Sequence, residues 1–230
     1  SDEAGVENYW PWGLSVGDLN ADGYEDVFIT SSMNYPFRYG VNSLLLNERG
    51  ERFLDSEFVL GVEPRRGHRT AKPWFALDCA GADSEHPRCK DQDGSIEIWG
   101  ALGSRSSAIL DIDGDGDLDI VTNEFNAAPQ VLISDLSEKK ELRFLKIDLE
   151  GTRSNRDGLG AIVKVRADGQ SYTKVRDGKS GYLSQSLMPL YFGLGDATVI
   201  EQIEVRWLSG HTQTLVGPIE TNKLLVIAEE

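Results

Sequence analysis

Two nine-residue loops constrain this chain more than any other feature: Asp18-Leu-Asn-Ala-Asp-Gly-Tyr-Glu-Asp26 and Asp111-Ile-Asp-Gly-Asp-Gly-Asp-Leu-Asp119. Both carry side-chain oxygens at positions 1, 3, 5 and 9, namely Asp18, Asn20, Asp22 and Asp26 in the first and Asp111, Asp113, Asp115 and Asp119 in the second. Calcium is a hard cation that takes six to eight oxygen ligands in flexible geometry, and short Asp and Asn side chains let a tight loop converge on it. Position 6 is Gly in both, where the chain turns sharply and a Cβ is penalised. Position 7, Tyr24 or Asp117, is expected to contribute its backbone carbonyl whatever its side chain. Two Ca2+ sites are therefore predicted. They are not EF-hands, because position 12 is Ile29 or Thr122 where a bidentate Glu is required, and because strands flank the loops. A third acidic stretch, Asp91 to Glu97, has Cys89 where the first ligand belongs and reads as a turn.

Alternation of polar and apolar residues dominates the remainder, and no segment keeps a 3.6-residue period beyond two turns. Strands are predicted at Val27–Thr30, Ser43–Leu46, Ile96–Trp99, Ile120–Thr122 and Val131–Ile133. Further strands are predicted at Arg143–Leu149, Ala161–Arg166, Tyr172–Arg176, Leu190–Leu194, Ile203–Trp207 and Lys223–Ala228. The chain is therefore all-β. The loop, the strand after it and a second strand beyond a Pro-containing connection form an internal repeat. An irregular insertion, about residues 63–94, separates the two copies. The pattern changes between residues 138 and 150, which divides the chain into a repeat region, 1–142, and a C-terminal β region, 143–230. The C-terminal region lacks acidic loops and is expected to be much less affected by removal of the cation.

The acidic loop between strands resembles the FG-GAP or VCBS repeat of integrin-like β-propellers. Glu150-Gly-Thr-Arg-Ser-Asn-Arg-Asp-Gly-Leu-Gly-Ala161, Gly178-Lys-Ser-Gly-Tyr-Leu-Ser-Gln185, Phe192-Gly-Leu-Gly195 and Val205-Arg-Trp-Leu-Ser-Gly210 resemble, in order, the ASPIC/UnbV domain. The combination is similar to that of the cartilage acidic protein 1-like family. The resemblance implies a partial β-propeller followed by a small C-terminal β-sandwich-like domain, in a secreted, periplasmic or cell-surface protein. A closed propeller needs at least four blades, and there is repeat material here for two or three. Upstream sequence or another chain is expected to complete it. The chain opens at Ser1 with no apolar leader, as expected of a processed product or fragment.

The net charge is −15, from 23 basic and 38 acidic residues, a field that repels nucleic acid and anionic lipid. The longest apolar run, Leu224–Ala228, is far shorter than the ~20 residues needed to span a bilayer, so neither nucleic-acid binding nor membrane insertion is expected. Cys79 and Cys89 have nine residues between them and no His at zinc spacing. A local disulfide in an oxidising compartment is expected, contributing about 2–3 kcal/mol in the chain-entropy account.

No nucleophile elbow, zinc helix or phosphate loop is present, and His68, His86 and His211 fall in unrelated contexts. Trp10, Trp12, Trp74 and Trp99 are candidates for stacking on sugars, though core filling is the expected role. Arg153, Arg156, Tyr182 and Gln185 are candidate ligand contacts, though their motifs read as turns and bends. Three functional readings stay open. The favoured one is a secreted, calcium-binding, non-enzymatic interaction or adhesion module with a protein or glycan partner. The others are the accessory carbohydrate-binding portion of a larger secreted protein, and a hydrolase or lyase with its catalytic site in the insertion or in sequence outside this chain.

Overall fold

The computed structural model describes residues 11–31, 39–65, 67, 69–179, 181–183, 185 and 188–230. Among the described residues, short β-branched runs between Gly-rich turns give sixteen strands, and the one α-helix, α1, covers only Leu136–Lys139. Strands β1 (Pro11–Gly17), β2 (Asp26–Ser31), β3 (Ser43–Glu48) and β4 (Arg52–Asp55) pair in sequence order as an antiparallel meander. β7 (Gly103–Leu110), β8 (Asp119–Phe125) and β9 (Gln130–Leu132) repeat that arrangement with three strands. Each acidic loop joins the first two strands of its meander. The sheets pack through residues with little or no side chain. Ser15 Oγ donates to Ser107 O at 2.8 Å, Thr30 Oγ1 to Arg105 O at 3.2 Å, and a Cβ on Gly13 would stand 2.9 Å from that same carbonyl. Phe28, Leu44 and Ile120 fill the core between them.

A buried polar network also ties the meanders together. Arg65 pairs with Glu124 and donates to Ser104 Oγ at 3.0 Å. Ser104 Oγ donates to Glu124 Oε1 at 2.6 Å and accepts from Asn42 Nδ2 at 2.9 Å. Two buried charges held this way are compensated by each other and by neutral donors.

The expected insertion is not wholly irregular. Strand β5 (Ala71–Asp78) runs through it and forms a hairpin with β6 (Ser95–Ala101). The disulfide between Cys79 and Cys89 closes the connection, and both half-cystines join Leu77 and Ile98 in a small core.

The C-terminal residues form two facing sheets. One has β10 (Phe144–Glu150) between β13 (Leu190–Gly193) and β16 (Lys223–Ala228), antiparallel to the former and parallel to the latter. The other orders β12 (Gln170–Val175), β11 (Ile162–Ala167), β14 (Val199–Arg206) and β15 (Thr212–Glu220), all antiparallel. Alternate residues of both, including Leu145, Ile147, Val163, Val165, Ile203 and Val205, are fully buried with Phe192 and Trp207. The sandwich expected for this region is present. Among the described residues no sheet closes on itself, and the open meanders with the sandwich beyond them are consistent with a partial propeller followed by a small β-domain.

The core-filling role expected for the tryptophans is not the one found. Trp12, Trp74 and Trp99 are 37%, 37% and 50% exposed; Arg105 lies over the Trp12 ring at 4.1 Å, and Trp74 packs edge-on against Phe125. Trp10 lies outside the described residues.

Candidate metal centre

The two loops adopt one design. In the first, Asp18 Oδ1 and Asn20 Oδ1 both accept from the Asp22 amide, at 3.0 and 3.1 Å, so positions 1 and 3 converge on position 5. Asp18 Oδ2 accepts from Gly23 N at 2.8 Å, and Asp22 Oδ1 from Tyr24 N at 2.9 Å. In the second, Asp111 accepts from Gly114 N at 2.6 Å and Gly116 N at 2.9 Å, while Asp115 Oδ1 accepts from Asp117 N at 3.0 Å. Carboxylate oxygens of Asp111, Asp113 and Asp115 lie within 4.8 Å of one another. Gly23 and Gly116 take φ of +94° and +100°, a conformation L-residues resist.

Position 9 closes each loop. Asp26 Oδ2 accepts from Leu19 N at 2.8 Å and its Oδ1 from Asn47 N at 2.8 Å. Asp119 does the same with Ile112 N at 2.7 Å and Ser134 N at 2.8 Å. Both are buried, and each staples its loop to the next strand or turn of the meander.

Position 7 departs from expectation in the second loop. Tyr24 is exposed, but Asp117 is buried. Its Oδ2 accepts from Ser137 N at 2.8 Å, which anchors α1, and its Oδ1 is buried without a hydrogen-bond partner. An orphaned buried carboxylate oxygen is costly, and burial pushes this carboxyl above the usual range. Burial also raises Asp18 to about 6 and Asp26 to about 7, against the backbone amides that favour their charged forms. Asp115 moves the other way: burial opposes its charge, but the Ser137 hydroxyl and the Asp117 amide outweigh it. Clustered hard oxygens on short Asp and Asn side chains, with one unpartnered buried carboxylate oxygen beside them, are a donor set that fits calcium.

The sequence reading missed what lies against the loops. A Cβ on Gly23 would overlap the Tyr172 ring, and one on Gly116 would overlap Phe144 and stand 2.7 Å from its Cζ. Phe144 stacks on Tyr191 at 5.6 Å, and Tyr191 Oη donates to Gly116 O at 2.9 Å. Gly193 sits against Asp18, and its Cβ would be 2.7 Å from Ala21 Cα. Lys146 forms an ion pair with Asp111, and Lys174 with Glu25. Lys140 Nζ donates to Asn20 O at 2.6 Å. Thus both loops press on the C-terminal sheets, and that region is not the bystander expected from its lack of acidic loops. Beside this seam a cleft of about 780 Å³ runs between Leu14 and Val16 of β1 and Val175 and Leu224 of the C-terminal sheets, with Met188, just before β13, also in its wall.

Other candidates have structural work. Arg153 N is one of three successive amides, of Thr152, Arg153 and Ser154, that donate to Glu229 Oε2 at 2.9, 2.8 and 2.7 Å. Burial opposes the Glu229 charge, but the Ser209 hydroxyl and these amides outweigh it and hold the carboxyl at about 2. Tyr182 pairs with Trp12 at 6.2 Å; Arg156 and Gln185 are exposed. His86 Nδ1 accepts from Arg88 N at 3.2 Å, capping the 3-10 turn Pro87–Cys89, and His68 lies outside the described residues.

A meander with an oxygen-rich loop between its first two strands, joined to a sandwich that covers the loop, defines a propeller-repeat protein with an appended β-domain. Two family models match at the corresponding places: the FG-GAP repeat over residues 10–44, and ASPIC and UnbV over residues 151–230. The chain thus has the FG-GAP plus ASPIC/UnbV architecture. No curated protein matches it. FG-GAP repeat proteins are usually extracellular, a disulfide is present, and no helix among the described residues is long and apolar enough to cross a membrane. The pairing points to an extracellular, adhesion-type module.

Proposed function

We propose that this chain is a secreted, non-enzymatic interaction module in which two calcium ions, one per loop, rigidify the seam between the FG-GAP blades and the C-terminal β-domain. Asp18, Asn20 and Asp22 would hold the first ion, and Asp111, Asp113 and Asp115 the second. The carbonyls of Tyr24 and Asp117 and the position-9 carboxylates Asp26 and Asp119 complete the two sets. The supporting observation is that Asp111, Asp113 and Asp115 gather their oxygens and Asp18 and Asn20 turn theirs onto the Asp22 amide, while each position-6 glycine is pressed against an aromatic ring of the C-terminal sheets. Calcium supplies positive charge that lets crowded carboxylates stay ionised; Tyr191, Tyr172 and Gly193 hold the loops against the sandwich. The module presents a stiff composite surface to a protein or glycan partner, with upstream sequence or another chain completing the propeller.

A ligand that binds only the folded state stabilises it by about 2.7 kcal/mol at a hundredfold excess over Kd. Because the loops sit in the seam, calcium should raise the melting temperature of the whole chain, the sandwich included, by several degrees over chelated protein. Identical melting curves with calcium and with chelator overturn the proposal. The accessory carbohydrate-binding reading is favoured by one observation, the half-exposed Trp99 on the β5–β6 hairpin. A glycan array in which Trp99→Ala abolishes specific binding would establish it.

A further inference from the structure

Lys146 belongs to the sandwich, on β10, yet its ammonium pairs with Asp111, the position-1 acid of the second loop. The Asp111 side chain is 3% exposed and that of Lys146 20%, so the pair is largely shielded from solvent. The oxygen that Lys146 bonds, Asp111 Oδ2, also accepts from Gly116 N at 2.9 Å. Among the described residues no lysine bonds an oxygen-bearing side chain of the first loop: Lys140 bonds a backbone carbonyl there, and Lys174 pairs with Glu25 at position 8, although its charge also acts on Asp18.

Resting on the reading of the loops as calcium sites, we infer that Lys146 is an affinity-setting residue, a tethered cation that competes with calcium for Asp111. A divalent ion held by Asp111, Asp113 and Asp115 stands within a few ångströms of that ammonium, and like charges at such a distance repel strongly where water is partly excluded. Binding therefore requires the ammonium to leave Asp111. The structure provides an exit, because Lys146 also lines the 780 Å³ cleft, and its four-carbon stem lets the charge relocate. With no ion bound, the same lysine supplies a counter-charge that keeps the second loop folded against the sandwich. The orphaned Asp117 Oδ1 fits this division: one lysine offsets a single charge in a loop with four nearby acids. The two loops consequently differ in affinity, the second filling only at higher calcium than its extra carboxylate alone would require.

Calorimetric titration of the full chain with calcium tests this, comparing wild type with Lys146→Met and Lys174→Met. Lys146→Met should tighten one of the two sites about tenfold, the order expected for removing a unit charge beside a divalent ion, and leave the other within about twofold. Lys174→Met removes a lysine from the same cleft without freeing an oxygen-bearing position, and should leave the second loop's affinity unchanged. Lys146→Gln, which keeps a donor for Asp111 without its charge, gives the same result should the Met variant fail to fold. Two calcium ions bound with affinities indifferent to both Lys146 substitutions overturn this inference alone. A wild-type chain that takes up no calcium overturns it together with the reading it rests on.

Discussion

Gly193→Ala tests the seam at its tightest point. Gly193 lies in β13 and its φ is not in the left-handed region, so an added methyl acts through sterics alone. That methyl would overlap Asp18 Oδ2 and stand 2.7 and 2.8 Å from Cα and C of Ala21. The Ala21 backbone cannot swing aside as a side chain can, since Ala21 itself is buried at φ +55°. Overpacking of this kind costs about 1–3 kcal/mol, and the rigid neighbour places it near the upper end. For a chain of this size about 2–4 °C of melting temperature is lost per kcal/mol, so a drop of about 5–10 °C is expected. The displaced group is the position-1 carboxylate of the first loop, so that loop's calcium affinity should fall at least about tenfold while the second loop keeps its own. Differential scanning fluorimetry and calcium titration read the two effects. Gly169→Ala is the control: its φ is +73° with nothing within 4 Å, so it should cost about 1 kcal/mol of backbone strain and leave calcium binding intact. A Gly193→Ala protein with full first-loop affinity would refute the claim that the sandwich shapes that loop.

Three further outcomes follow from the same geometry. Asp117→Ala frees Ser137 N from its buried acceptor and should lower stability by about 1–3 kcal/mol in chelator, measurable by urea unfolding, whereas Asp113→Ala, at an exposed position, should leave chelated stability nearly unchanged and abolish one calcium site. Asp18 and Asp26 have folded-state values of about 6 and 7, above the ordinary carboxylate value, so the folded chain holds protons that the unfolded chain has released. In chelator, stability should therefore fall as pH rises from 4 to 7, on the order of 3 kcal/mol for Asp18 alone; flat stability over that range in wild type would contradict it, and saturating calcium should remove most of the slope. Reduction of Cys79–Cys89 should loosen the β5–β6 hairpin first, seen as faster proteolysis between residues 71 and 101 with little change in calcium affinity, because the disulfide's core of Leu77 and Ile98 is separate from the loops.

The loops were legible because a turn that gathers oxygens needs short acids at fixed spacing and a glycine at its bend, all local in sequence. The strands flanking them were legible for a similar reason: Val27–Thr30 and Ile120–Thr122 are β-branched and bounded by turn residues. Strands β1 and β7 were not, because their inward positions are Gly13, Ser15, Gly17, Ser104, Ser106 and Ser107, chosen for close approach between sheets, while the alternating apolar residues of β1, Trp12, Leu14 and Val16, lie on its exposed face. β5 was hidden by Pro73 and by its place beside the cysteines. Position 6 of each loop needs glycine twice over, for its positive φ and for an aromatic ring from another sheet; only the first need is visible locally. Lys146, Tyr191 and Gly193 act on the loops across gaps of 35 to 175 residues, which no local pattern encodes. The same holds for Glu229, whose three amide partners lie in the Thr152–Ser154 turn, more than seventy residues away.

The central claim, two calcium sites built into the seam, is tested most directly by counting bound metal. Protein dialysed against calcium and analysed by mass spectrometry of the metal should hold two ions per chain in the wild type and one each in Asp22→Ala and Asp113→Ala. The double variant should hold none. Two ions retained in either single variant, or none in the wild type, would contradict the account.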